Sequence, residues 1–391
     1  MGIFSKSKNK EELVVVFDVG SSSVGGALFW MQKSGVPKII FSIREPIILE
    51  DKINSDRFLF LTTKSLEIVA SKISSKGIGA PKRVFCVLSS PWYASQTRTI
   101  SLRKNTPFVF SLALANSLIT KEINLFEEEH LKKEVDAGNK IIAIELKNMQ
   151  TILNGYVSPK PLNQKVKELE IMVFISMSGE QVLEKIKEAI SPYFNCDKIK
   201  FSSFMVASFT VVRDIFAHHE NFLLIDIGGE VTDISLIKKE ILRGSVSFPL
   251  GPNFMIRGVA SELNCTLSEA KSFISLYKDG HATESTEQKL GPIISKLKSE
   301  WLTLFQESLV TLSNDISIPS VIFLTVDRDL ADFFSETIKS EQLNQYALTE
   351  SKFKVIFFGT EELHGAAVME RNVIRDPFLI TEAIYINRFL R

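Results

Sequence analysis

The sequence predicts an α/β protein of two related domains, with mixed sheets flanked by helices and facing one another across a cleft. Three observations predict it. The chain has 391 residues, too many for one ordinary single-core domain and comfortable for two or more. Short, wholly apolar β-rich runs alternate with amphipathic helical stretches. One local pattern also occurs twice, in which an apolar strand ends on an aspartate, passes through a tight turn of small residues and re-emerges as a second β-rich run.

The first such strand is Leu13 to Phe17, LVVVF, and it feeds DVGSSSVGGALFW, whose second β-rich run covers Ala27 to Met31. Strand, small-residue turn and strand make a hairpin, not the strand-to-helix turn of a dinucleotide-binding unit. Asp56 to Ser75 carries Phe58, Leu61, Leu66, Val69 and Ile73 at helical spacing and stops before Gly77 and Gly79. Val84 to Leu88 is a buried strand. Ser111 to Asp136 is charged and helical, with EEEHLKKE its most solvated piece. Lys140 to Leu146 and Gln150 to Tyr156 read as strands around a short turn, Leu169 to Ser176 as a buried strand, and Gly179 to Ala189 as an amphipathic helix. The second block opens with FLLIDI, Phe222 to Ile227, followed by GGEVTDISLI and a third strand, Ile241 to Val246. Helices follow around Ser261 to Tyr277 and Ile293 to Ile316, the latter with a stripe of Ile294, Leu297, Trp301, Leu304, Phe305 and Leu312. Val321 to Thr325 and Lys354 to Phe358 are late strands, and an apolar segment, Phe378 to Leu390, ends the sequence.

The two aspartate-led turns carry the chemistry. Small residues let backbone amides approach phosphate oxygens, and Ser or Thr hydroxyls add donors. Aspartates at two strand ends facing one cleft suit a hydrated Mg²⁺ held through few direct ligands. A single Asp-Gly-Ser turn is a common hairpin tip; two, each between β-rich runs, are much harder to obtain by chance.

These residues resemble a known superfamily. DVGSSSVGGAL and LLIDIGGEVTDISLI are similar to the two phosphate motifs of the actin, sugar-kinase and heat-shock-chaperone ATPases, and within that group to the bacterial FtsA (cell division) and PilM (type IV pilus assembly) family. The resemblance covers residues 12 to 370, and MGIFSK running into the first strand is similar to PilM-type starts. It implies an actin-like, ribonuclease H-like two-domain fold with a small inserted α+β subdomain. The expected division is a disordered leader over 1–11, a first domain over 12–80 plus 169–220, the inserted subdomain over 81–168, and a second domain over 221–391 whose last helix returns to the first. It also implies ATP and Mg²⁺ as ligands. Gly20, Ser21, Ser22 and Ser23 would form the first phosphate loop, and Gly228, Gly229, Thr232 and Asp233 the second. Asp18 and Asp226 would orient the metal, and would be the catalytic pair if the protein is active. Glu269 would face the adenosine.

Other positions depart from the family pattern. Where paired glycines usually lie flat against the nucleotide, within FLTVDRDLADFF, the chain has Val326, Asp327, Arg328 and Asp329. Phe273 and Ile274 occupy the expected lysine region after Glu269. The glycine-pair loop reads Leu250, Gly251, Pro252, and no water-positioning carboxylate or glutamine stands near Ser203. Since hydrolysis needs a positioned water as well as clamped phosphates, weak or no ATPase activity is expected. The resulting expectation is a cytoplasmic scaffold at the inner face of the cell membrane. Its partners would be a tubulin-like division protein or the tail of a pilus inner-membrane protein, with self-polymerisation and peripheral membrane contact as further expectations. An active Mg-dependent ATPase or phosphotransferase is one alternative, and an interaction module without nucleotide is another.

The remaining features narrow the field. Lys plus Arg and Asp plus Glu both number 46, so nothing favours nucleic acid, whose sequence-independent binding draws on surplus cations. Cys86, Cys196 and Cys265 are far apart with no CxxC pair, which argues against a zinc ribbon or a disulfide framework and suits a reducing compartment. The first residues lack the apolar stretch of a secretory signal, and Lys6 breaks the myristoylation pattern. His218 and His219 are adjacent and point apart, so a solvated helix end is favoured over a metal site. Trp92 and Tyr93 divide evenly between a protein contact and a cover for the small subdomain. The last segment is weakly amphipathic, with Glu382 among its apolar residues, and reads as a helix packed on the first domain in preference to a membrane anchor.

Overall fold

Two sheets of the same construction carry the two aspartate turns. The computed structural model describes residues 11–33, 35–131, 140–194, 199–313, 317–340 and 352–390. In the first sheet, β1 (Glu12–Val19), β2 (Ser23–Met31) and β3 (Lys38–Pro46) form an antiparallel meander. On the other side of β1 lie β4 (Arg83–Leu88) and β9 (Ile199–Ser203), both parallel to it. In the second sheet, β10 (Phe222–Ile227), β11 (Thr232–Lys238) and β12 (Ile241–Phe248) repeat the meander, and β13 (Val321–Val326) and β14 (Lys354–Phe357) repeat the parallel extension. Asp18 is opposite Gly25 and Val87, and Asp226 is opposite Asp233 and Thr325, so the aspartates hold equivalent positions. The central strands bury both faces, which is why LVVVF and FLLIDI are continuous apolar runs and not alternating ones.

A four-stranded antiparallel sheet is inserted in the first domain. Its strands are β5 (Ala94–Val109), β6 (Ile141–Leu153), β7 (Tyr156–Val157) and β8 (Lys165–Gly179), covered by α2 (Leu112–Leu131). It therefore runs from 94 to 179, not 81 to 168: Val84 to Leu88 pairs with β1, and β8 continues past Glu168 as the partner of both β5 and β6. The expected pair of strands around residue 147 is one strand, β6, with register irregularities at Ala143/Glu145 and Asn148/Gln150. The turn instead falls at Asn154 and Gly155, both with positive φ (49° and 84°).

The helices of the first domain are α1 (Ser55–Ser74), α3 (Glu180–Ile190) and α4 (Phe204–Ile215). A side chain at Gly26 would meet Val69 and Ile73 of α1 at 2.6 Å, so this glycine lets the helix lie close on β2. In the second domain the expected helix over 261–277 is two helices, α5 (Pro252–Leu263) and α6 (Leu267–Lys278). Asn264 in the left-handed region ends α5 and Thr266 caps α6. Next come α7 (Glu284–Leu312) and α8 (Ala331–Lys339), and Trp301 of α7, stacked on Phe305 at 5.2 Å, anchors that core. Finally the chain crosses back. β15 (Val368–Met369) pairs with β3, and α9 (Pro377–Phe389) packs on β1, β2, β3 and α4. No described helix is long and apolar enough to cross a membrane. The leader up to Lys10, Cys196 and the expected helix end beyond Leu131 lie outside the described residues.

Candidate functional site

The two turns meet directly. The backbone amide of Glu230 donates to Ser21 Oγ at 3.1 Å, and a side chain at Gly229 would lie 2.7 to 2.9 Å from Cβ, Cα and N of Ser22. Gly251 closes over the second turn, where a Cβ would fall 2.1 Å from the Gly228 carbonyl oxygen and 2.4 Å from that of Gly229. The Asn253 amide donates to Gly229 O at 3.0 Å. Glycine is required at 229 and 251 by this approach of backbone to backbone. Across the same seam Arg257 forks onto Glu230, with Nη1 to Oε1 at 3.1 Å and Nη2 onto Oε2, and Asn253 adds a bond to Oε1 at 2.7 Å.

Of the first-turn residues, Ser21 thus holds the opposite loop and Ser22 packs against Gly229. The Gly20 amide donates to Ser23 O at 3.1 Å, while Trp92 Nε1 donates to Gly20 O at 2.8 Å. Trp92 is buried and stacks on Phe58 at 4.9 Å, and Tyr93 is buried beside it. Both rings are turned inward, and Trp92 supports the first turn from below. Of the second-turn residues, Thr232 is fully committed. Its hydroxyl donates to Leu250 O at 2.7 Å and accepts from Trp301 Nε1 at 3.2 Å, tying the turn to the α7 core. Asp233 accepts from Ser90 Oγ at 2.9 Å, across the domain boundary, and from Ser247 Oγ; burial pushes its carboxyl up to about 6 against those two donors.

The paired aspartates differ. Asp226 is half-buried, and its buried Oδ1 has no hydrogen-bond partner among the described residues. Burial first, then the like charges of Asp233, Asp18 and Asp327, push its carboxyl well above the ordinary range. An unpaired buried carboxylate among other carboxyls is a group that fits a cation. Asp18 Oδ1 is also without a partner among the described residues, but its Oδ2 already faces a cation. Arg44 of β3 donates from Nη2 to Asp18 Oδ2 at 2.6 Å and from Nη1 to Ser23 Oγ at 3.0 Å. The Glu382 carboxyl of α9 lies against Asp18, and burial together with Asp18 lifts Glu382 far above its ordinary range. Burial raises Asp18 also, while Arg44 pulls it back, so Asp18 and Glu382 titrate as one coupled pair beside the guanidinium. The expectation that Asp18 orients Mg²⁺ alongside Asp226 thus meets an internal cation already in place.

A cavity of about 370 Å³ enters the second domain, within the usual range for small-molecule pockets, and Asp327 on its wall is one of the carboxyls bearing on Asp226. Its walls are Met255, Ile274 and Leu297, with Lys271, Lys278 and Asp327 as polar groups. It lies where FLTVDRDLADFF was expected to meet adenosine, and the segment Asp327 to Leu330 forms one wall instead of blocking it. Glu269 is not in this cavity. Its carboxylate closes a capping box, accepting from Thr266 N and Thr266 Oγ1 at 2.8 Å, because a carboxylate at the third position of α6 satisfies the helix start. The lysine missed by the sequence reading is Lys271, two positions after Glu269, while Ile274 does line the wall and Phe273 packs against the core. Near Ser203 the structure places a carboxylate that sequence spacing could not show, Glu145 of β6. It accepts from Ser202 Oγ, Ser203 N, Ser203 Oγ and Tyr385 Oη at 2.5 to 3.1 Å, which leaves it committed to holding β9, α4 and α9.

No family model matches the chain, and no curated protein is similar to it in sequence. Similarity appears among solved structures. The PilM protein of a PilM–PilN type IV pilus biogenesis complex matches with a TM-score of 0.61 at 13% identity, over 97% of this chain and 98% of that one. The ethanolamine utilization protein EutJ from Carboxydothermus hydrogenoformans matches with a TM-score of 0.42 at 10% identity, over 97% of this chain and 90% of that one. At such identities the likeness speaks for the fold. Together with the duplicated β-meander sheets and their aspartate turns, it establishes that the chain has the actin-like, two-domain α/β fold, in an arrangement like that of PilM.

Proposed function

We propose that this chain is an actin-like, nucleotide-binding cytoplasmic scaffold of the FtsA/PilM type, with ATP and Mg²⁺ as structural ligands and little or no hydrolysis. The observation that carries the reading is the cavity walled by α5, α6, α7 and Asp327, a carboxyl whose charge also bears on Asp226. It supplies an apolar slot for a base, lysines at its rim for anionic groups, and one unpaired buried carboxylate for a hydrated cation arriving with phosphates. Asp226 would hold that cation, and Gly20, Ser22, Gly228 and Gly229 would present backbone to the phosphates once the two turns part. The commitment of Glu145, Thr232 and Glu269 to structural bonds supports weak or absent turnover, since no group is left at those positions to position water. For partners, the likeness to PilM favours the tail of a pilus inner-membrane protein over a tubulin-like division protein.

A second reading, an interaction module that no longer takes nucleotide, is favoured by one observation: the Glu230 amide and Ser21 hydroxyl are spent on each other. Thermal unfolding with ATP, ADP and Mg²⁺ decides between them. A rise in melting temperature that Ser275→Trp abolishes by filling the cavity is expected of the scaffold that keeps nucleotide. A melting temperature unmoved by every combination rejects nucleotide and leaves the second reading. Pull-down with a short cytoplasmic pilus peptide against a tubulin-like protein tests the partner.

A further inference from the structure

The C-terminal helix is fastened to the first turn through buried charge. Asp376 caps α9, its Oδ1 accepting from the amides of Phe378 and Leu379 at 3.0 and 3.1 Å. The same carboxylate takes Arg44, from Nε to Oδ2 at 2.5 Å and from Nη2 to Oδ1 at 3.1 Å, and the guanidinium lies 5.2 Å over the Phe378 ring. Arg44 then continues to Asp18 and Ser23, so one side chain joins the helix cap to the turn. One turn into the helix, Glu382 is wholly buried with neither oxygen in a hydrogen bond of ordinary geometry, and it faces Asp18. Room for this comes from Gly25, opposite Asp18 on β2: a Cβ there would meet Arg44 Nη2 at 2.8 Å and Leu379 at 3.2 Å. The glycine in DVGSSSVGG thus admits an arginine and a helix. The equivalent position in the second sheet is Asp233, and there the charged groups bearing on Asp226 are acidic.

We propose that Asp18 is the tether of the C-terminal helix and not a metal ligand, with Arg44 as a resident cation that closes the first turn to divalent ions and leaves them to Asp226. This goes beyond the nucleotide reading and needs no nucleotide to test. The full chain is titrated with Mn²⁺ alone, read by water-proton relaxation, and amide exchange is followed across Pro377–Phe389. Asp18→Asn leaves Mn²⁺ binding within about twofold of the parent while amides of Leu379 to Ile386 exchange at least about tenfold faster. Asp226→Asn does the opposite, weakening Mn²⁺ and leaving α9 protected. Glu382→Gln, which spares Asp18, also loosens α9, and it decides the matter should Asp18→Asn fail to fold. If the parent chain takes up no Mn²⁺, the exchange measurements decide alone. Loss of Mn²⁺ by tenfold or more in Asp18→Asn, or α9 protection unchanged in both Asp18→Asn and Glu382→Gln, overturns the proposal.

Discussion

The two aspartate turns share a backbone and differ in charge. Each lies at the end of the first strand of a three-strand meander, with a parallel strand on that strand's other side, in the same register. Yet Asp18 pairs through Oδ2 with Arg44, whereas the charged groups bearing on Asp226 are acidic, although Oδ1 of each lacks a hydrogen-bond partner among the described residues. Duplicated backbone geometry therefore does not carry duplicated chemistry. What sits across from each aspartate decides that: Gly25, which admits an arginine, or Asp233, which does not. Arg44→Met breaks the comparison hardest. It strands Asp18 and Asp376 without their cation, and removing one partner of a buried pair costs about 3–5 kcal/mol. Urea unfolding should show that loss, whereas an isosteric change at the other turn, Asp226→Asn, should leave stability equal or higher because a neutral amide replaces a carboxyl whose ionised form burial and acidic neighbours disfavour.

The second largest effect sharpens the difference in how the turns are enclosed. Gly251→Ala places a methyl 2.1 Å from the Gly228 carbonyl oxygen, where only backbone can give way, and should cost about 2–3 kcal/mol by chemical denaturation. Gly20→Ala, whose Cβ would stand 3.0 Å from Ser23 O, should cost less. Equal losses at the two sites would mean that Gly251 does not close over the second turn as described.

A pH dependence separates the turns next. Asp233 keeps its proton up to about 6 in the folded chain, above the 3.8 of a free carboxyl, because it is buried. The folded state then binds more protons than the unfolded between those values, so stability falls as pH rises from about 4 to about 6. Asp233→Asn, which still accepts from Ser90 and Ser247, should flatten that slope and leave the variant about 1–2 kcal/mol more stable at neutral pH. An unchanged slope in thermal melts across this range would show that Asp233 is not the titrating group.

Much of this was legible in the residues. Strands buried on both faces announce themselves as LVVVF, FLLIDI and VIFLTV, and the aspartate turns follow them. β5 did not, because ASQTRTISLRKNTPFV is mostly polar and largely exposed, held by pairing with β8 and not by burial. α4 is apolar on every side, FMVASFTVV, so it offers no helical period. Arg44 was invisible as a site residue: it is a single arginine on a strand, 26 positions from Asp18, and only the sheet brings them together. Glu382 did leave a signal, since a carboxylate between Ile380 and Ile384 in an otherwise apolar helix needs a partner once that helix is buried. In a helical projection alone it only weakens the amphipathic pattern of the segment. Glu269 misled for a related reason, as a glutamate three positions after a threonine that begins a helix is already accounted for by the capping box.

The smallest expected effect concerns the indole beneath the first turn, whose counterpart under the second ends on a side chain. There the Trp301 indole N–H reaches up from α7 to a side-chain hydroxyl, Thr232 Oγ1; here the Trp92 indole N–H reaches a backbone carbonyl, Gly20 O, at 2.8 Å. Trp92→Phe keeps an aromatic ring on Phe58 and removes only that donor, leaving the Gly20 carbonyl to find water at a partly buried position. The cost should be about 1 kcal/mol, the net worth of one neutral hydrogen bond. A larger loss would mean that Gly20 O has no access to water and that the turn is sealed from below. No loss would mean that the indole contributes by ring packing alone, and the first turn would then be held chiefly by Arg44.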